Sequence, residues 1–116
     1  MLVNISGNHL YVSDALREFT KTKVSHALEN YIDTSYVDVV LTVRNKEHVA
    51  VANILFLGKD IEASARSDDM YRSITDMCVK LEKLVSKRKD VVKAHPNVKL
   101  LFEQSAGAAH ERGIEH

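Results

Sequence analysis

The segment 68–93, DDMYRSITDMCVKLEKLVSKRKDVVK, constrains the fold more than any other stretch of the chain. Its apolar residues Met70, Ile74, Met77, Leu81, Leu84 and Val85 recur at helical spacing. With residue 70 at zero and about 100° per residue, they fall in an arc centred near about 20°. Arg72, Lys80, Lys83 and Lys87 fall between about 200° and about 280°, on the opposite side. Such a helix must bury one side against a partner and turn its cations outward. Ser67 or Asp68 is the predicted N-cap, and Pro96 stands just past a predicted end near residue 93.

The preceding residues supply that partner. Residues 1–6 alternate as a short strand, and Gly7-Asn8 is read as a turn. Ser13 is a plausible N-cap for a helix over residues 14–31, with Leu16, Phe19, Thr20, Ala27 and Tyr31 at helical spacing. Residues 36–44 place Val37, Val39, Leu41 and Val43 at period two, which predicts a strand with one buried face. Asn45-Lys46-Glu47 is a predicted turn, and residues 48–57 form a further strand that is apolar on both faces. Gly58-Lys59 suits a type II′ hairpin with glycine first. Residues 60–66 then alternate, with Ile61, Ala63 and Ala65 inward. The expected fold is α+β, in the order β-α-β-β-β-α: a two-layer sandwich with a four-stranded sheet and both helices on one face. The expected division is a domain over 1–95 and a mobile C-terminal tail over 96–116.

Length allows one small core. The only cysteine is Cys78, so no intramolecular disulfide is possible, and a reducing cytoplasm is the expected location. No apolar run approaches the roughly 20 residues that span a bilayer, and the N-terminus does not read as a signal peptide. No membrane association is expected. Formal net charge is zero, yet residues 79–93 carry Lys80, Lys83, Lys87, Arg88, Lys89 and Lys93 against Glu82 and Asp90. A charge run is ordinarily a solvated face, and one or two cations in a last turn favour the helix dipole. That benefit does not need a stripe beginning more than two turns earlier. Phosphate is the natural counterpart of such a stripe. On the first helix, Lys23 and His26 are placed to extend it. The predicted RNA-binding set is Lys23, His26, Arg72, Lys80, Lys83, Lys87 and Arg88.

Catalytic chemistry finds little support. There is no P-loop, GxGxxG or GxSxG, and the four glycines are isolated. Cys78 lies beside the apolar arc and reads as buried and inert. His26 and Glu29 have a spacing that can share a metal, but two ligands do not make a site. No cofactor or metal is expected. Met70 and Met77 read as core packing, and Tyr71 as a partly buried edge residue. The central strands lack the aromatic set of an RNA-recognition motif.

Two stretches carry a family resemblance: NISGNHLYVSDALREF at 4–19 and IEASARSDDMYRSITDMCVKLEKLVSK at 61–87. Asp69-Met70-Tyr71 with Ile74 and Lys80-Leu81, and Ala15-Leu16-Arg17-Glu18 near the start, are its most specific parts. Over residues 1 to about 93 the chain resembles the ribosome hibernation promoting factors and ribosome-associated inhibitors, also described as sigma-54 modulation proteins. The resemblance implies a fold similar to double-stranded RNA-binding domains. It further implies binding to the small ribosomal subunit over the messenger and tRNA sites, on 70S ribosomes or ribosome dimers. The consequence would be reversible inhibition of translation in stationary phase or stress, without catalysis. A monomer in isolation is expected. Carried over residue by residue, the family's ribosomal RNA contacts fall on Lys23, Lys80, Lys83 and Lys87. One departure is His26-Ala27-Leu28-Glu29, where relatives tend to read Lys-Leu-Glu.

Two further readings remain open on the residues alone. The stripe can meet an acidic protein partner, making the chain a protein-interaction module. Alternatively, Val98–Phe102 can close the sheet as a further strand, giving a ferredoxin-like small-molecule domain.

Overall fold

A computed structural model describes residues 1–31 and 36–94. The elements run β1 (Leu2–Asn8), α1 (Asp14–Ala27), β2 (Tyr36–Arg44), β3 (Glu47–Phe56), β4 (Lys59–Ser67) and α2 (Met70–Ala94). This is the expected β-α-β-β-β-α order. The strands lie in the sheet as β1-β2-β3-β4. β1 pairs with β2 in parallel, which requires the α1 crossover, and the other two pairings are antiparallel.

Strand alternation assigns the two faces. Ile5, Val37, Val39, Leu41, Ala50, Ala52, Ile54, Phe56, Ile61, Ala63 and Ala65 are buried and share one core with both helices. α2 packs over β4 and β3, while α1 lies beside α2 and against β1. The residues between them along the strands point to a face that no helix covers. β3, apolar in both registers, is thereby resolved: Ala50, Ala52, Ile54 and Phe56 face in, and Leu55 faces out.

Local chemistry moves several predicted boundaries. Gly7-Asn8 is not a turn but the end of β1, paired with Leu41 and Thr42, and the chain leaves the strand at His9, at φ 60°. A Cβ on Gly7 would strike the Leu10 carbonyl oxygen and the Val12 side chain, so the returning loop requires glycine there. The β3–β4 hairpin turns one residue earlier than predicted. Phe56 pairs with Lys59, leaving Leu57-Gly58 as the two-residue loop. Both have positive φ, 50° and 77°, which makes the turn type I′ rather than II′. Asn45-Lys46 forms a second loop of the same kind, with φ 52° and 66°.

Helix α1 is capped as expected, the Ser13 hydroxyl accepting from Leu16 N at 3.2 Å. It ends at Ala27 rather than residue 31, because Leu28 leaves helical geometry. Tyr31 then packs edge-on against Phe56 and donates its hydroxyl to Glu82 at 3.0 Å, tying the end of this segment to α2. α2 begins at Met70, and Ser67 stabilises the approach by accepting from the Asp69 N–H at 3.2 Å. The possible closing strand Val98–Phe102 and the tail 96–116 lie outside the described residues.

Candidate nucleic-acid interface

The apolar arc of α2 is seated much as the periodicity requires. Met70, Ile74, Met77, Cys78, Leu81 and Val85 are buried, whereas Leu84 remains 40% exposed at the arc's edge. Ser73, which the spacing does not single out, is also buried. Its hydroxyl donates to the His48 carbonyl at 2.7 Å and lies 2.7 Å from that of Ser67. A buried polar group is tolerable when so bonded.

That seating decides where each cation goes. Lys80 folds onto β4, donating to the Ser64 carbonyl at 3.1 Å. Lys87 lines a cleft of about 420 Å³ on the same flank, with Lys59, Asp60, Glu62 and Leu84. Lys83 is exposed on the outer crest of α2. Arg72 is also exposed, but sits 3.9 Å from Asp76 one turn on. Lys23 and His26 belong to the other flank. With Thr75, Val79 and Glu82 they line the groove of about 270 Å³ between the helices. Lys23 lies 5.7 Å from the centroid of Phe19, which in turn meets Tyr71 edge-on. His26 is exposed and 4.0 Å from Glu29.

The predicted single stripe therefore divides. Lys80 and Lys87 lean toward β4, Lys23 and His26 face the interhelical groove, and Lys83 stands between them. The physical reason is that the α2 arc is centred over β3 and β4, so the two sides of the helix have different neighbours. Arg88 reaches this surface only at the wall of the Lys87 cleft. It is 6% exposed, and its guanidinium donates to the Leu57 carbonyl at 2.7 Å, beneath the β3–β4 hairpin. Its position on the helix, in phase with Met70, signals this (at about 100° per residue the two coincide). Conversely, Lys59 and Lys89 lie outside the predicted RNA-binding set. The hairpin register brings Lys59 to the Lys87 cleft, and Lys89 lies 5.4 Å from the Tyr31 ring.

Burial raises the Cys78 thiol to about 11, although nearby Lys23 acts in the opposite direction. It is a core side chain rather than a nucleophile. Burial also raises the Tyr31 phenol, with the Ser86 hydrogen bond opposing and Glu82 reinforcing. Among the described residues, no three His, Cys, Asp or Glu side chains converge as metal ligands. No described helix is long and apolar enough to cross a membrane.

Comparison with known proteins accounts for nearly all of the described chain. The profile of the family described as Sigma 54 modulation protein / S30EA ribosomal protein matches residues 3–93. The ribosome hibernation promoting factor of Escherichia coli K12 is 40% identical over 96 residues, covering 82% of this chain and 100% of that protein. The protein of the same name from Azotobacter vinelandii is 33% identical over 90 residues, covering 78% of this chain and 84% of its own. A ribosomal subunit interface protein from Coxiella burnetii superposes with a TM-score of 0.73 at 30% identity, covering 78% of this chain and 99% of its own. The N-terminal domain of Thermus thermophilus Protein Y shares the fold, with a TM-score of 0.69 at 23% identity over 76% of this chain and 99% of its own. With a match spanning both helices and all four strands, the chain belongs to the Sigma 54 modulation protein / S30EA ribosomal protein family.

Proposed function

We propose that this protein is a cytoplasmic ribosome hibernation factor. It binds the small ribosomal subunit over the messenger and tRNA sites and reversibly inhibits translation in stationary phase or stress. The observation that carries this reading is the 40% identity to a hibernation promoting factor matched along its entire length. The exposed lysines of α2 agree with it, because a surface that follows an RNA backbone needs cations on a convex face rather than a pocket. The chemistry is occupancy: a domain seated in the decoding channel excludes messenger and initiator tRNA by sharing their space, and nothing is consumed. The contact set is Lys23, Lys80, Lys83 and Lys87, with His26 and Arg72 at its margins.

Co-sedimentation with ribosomes tests the reading. Ribonuclease treatment of the ribosomes should abolish binding. With about four phosphates contacted, log K should fall against log salt with a slope of roughly −3 to −4. Binding that survives ribonuclease and ignores salt would instead favour an acidic protein partner. Residues 96–116 are proposed to be an inert extension, since Glu103, Glu111 and Glu115 against Lys99 and Arg112 give them little electrostatic direction. Deleting them should leave the yield of ribosome dimers unchanged, and a large rise would assign them a blocking role.

A further inference from the structure

The uncovered face of the sheet carries an unusual arrangement of side chains. At one end, Leu2 pairs with Tyr36 across β1 and β2, and Leu55 of β3 lines one cleft with Tyr36. They are 64%, 48% and 64% exposed. Large apolar groups exposed singly need no explanation, but a contiguous row signals a contact surface. Beside this row the face becomes rich in acceptors. Asp38, half-buried, accepts from Asn4 at 2.9 Å, and Asp60 and Glu62 are exposed on β4. Tyr36, Leu55, Asp38 and Asp60 line a common cleft of about 500 Å³. The cations of this face are at its other end, Arg66 paired with Glu47 at 3.2 Å and Arg44 nearby in the register.

This charge pattern selects the occupant. RNA is disfavoured, because the apolar row is bordered by carboxylates. A second copy would bring the same carboxylates to the contact, whereas a basic segment complements them. What satisfies both parts is a segment that brings its own apolar anchors and its own cations.

We infer that the open sheet face is a docking surface for a basic, extended segment of another protein, in which arginine or lysine alternates with large apolar residues. The apolar row takes the anchors, and Asp60 and Glu62 receive the cations. The apolar row lies on the side of the sheet opposite the helices, while Asp60 and Glu62, on the edge strand β4, also border the Lys87 cleft. The inference does not depend on the RNA-binding reading.

The probe is a synthetic ten-residue peptide alternating arginine with leucine, titrated into the isotope-labelled full chain. Amide shifts should centre on Leu2, Tyr36, Asp38, Leu55 and Glu62. Asp60→Asn with Glu62→Gln should weaken binding about tenfold, as loss of two exposed charge contacts would. Leu55→Ser should weaken it comparably without changing the fold, and Lys21→Glu, on the exposed side of α1, should leave it unchanged. Equal binding by a peptide with glutamate in place of arginine would overturn the inference. So would shifts confined to the helices, shifts of these same amides by an RNA oligonucleotide, or dimerisation of the chain through this face in sedimentation. Displacement of the same resonances on removing residues 95–116 would assign the face to the chain's own end and equally overturn it.

Discussion

At the scale of single residues, burial separates side chains that look alike in the sequence. Leu81 and Leu84 belong to one predicted ladder, yet Leu81 is fully buried and Leu84 is not. Leu81→Ala should cost roughly 2–5 kcal/mol in denaturant unfolding, as a core truncation that leaves a cavity. Cys78 gives a pH-dependent case. Its thiol ionises near 11 in the folded protein, above its ordinary value of 9.0. The protonated form therefore favours folding. That contribution is complete below the unfolded value and is lost as pH rises from there through about 11. Cys78→Ala should flatten the decline of stability above pH 9, and native Cys78 should resist alkylation at neutral pH. Lys46 concerns the backbone instead. It holds φ 66° in a turn whose first residue is already asparagine, so Lys46→Gly creates the preferred Asn-Gly pair. Relief of the left-handed strain should raise stability by about 0.5–1 kcal/mol, read from thermal unfolding.

At the scale of elements, α2 has two jobs that its amphipathicity keeps apart. One side supports the sheet and the other carries exposed cations. Lys87 and Arg88 are consecutive, yet Lys87 is exposed and Arg88 is held under the β3–β4 hairpin. Charge reversal of Lys83 and Lys87 should weaken ribosome binding at least tenfold, given roughly 1 kcal/mol per lost phosphate contact, with little change in melting temperature. Arg88→Gln should do the reverse, lowering the melting temperature while sparing the salt slope of binding. If the two variants gave the same pattern, the division of labour on α2 would be wrong. The hairpin turns one residue earlier than glycine placement predicts, because Phe56 is needed in the core opposite Tyr31 and that requirement sets the register.

At the scale of the whole molecule, the two faces of the sheet differ in chemistry as well as in cover. The helical side presents lysines, and the open side presents carboxylates beside an apolar row, which is how a chain of zero net charge can hold a cationic surface. If occupancy of the decoding channel is the mechanism, timing matters. In a purified translation system, protein added before messenger should inhibit strongly, and the same amount added after initiation should inhibit weakly. Equal inhibition in both orders would argue against competition for that space. Periodicity and turn residues by themselves determined the element order, the inward face of β2 and β4, and the outward side of α2, because these are local consequences of 2.0- and 3.6-residue repeats. The family resemblance is legible over nearly the same residues that the family profile matches, 3–93. Only the tertiary structure decided which neighbour each cation meets: Lys80 on β4, Lys23 in the interhelical groove, and Arg88 beneath the hairpin. The grouping of Leu2, Tyr36 and Leu55 likewise depends on how the strands pair. Register and helix placement are set by long-range packing, which brings together residues that no local pattern relates.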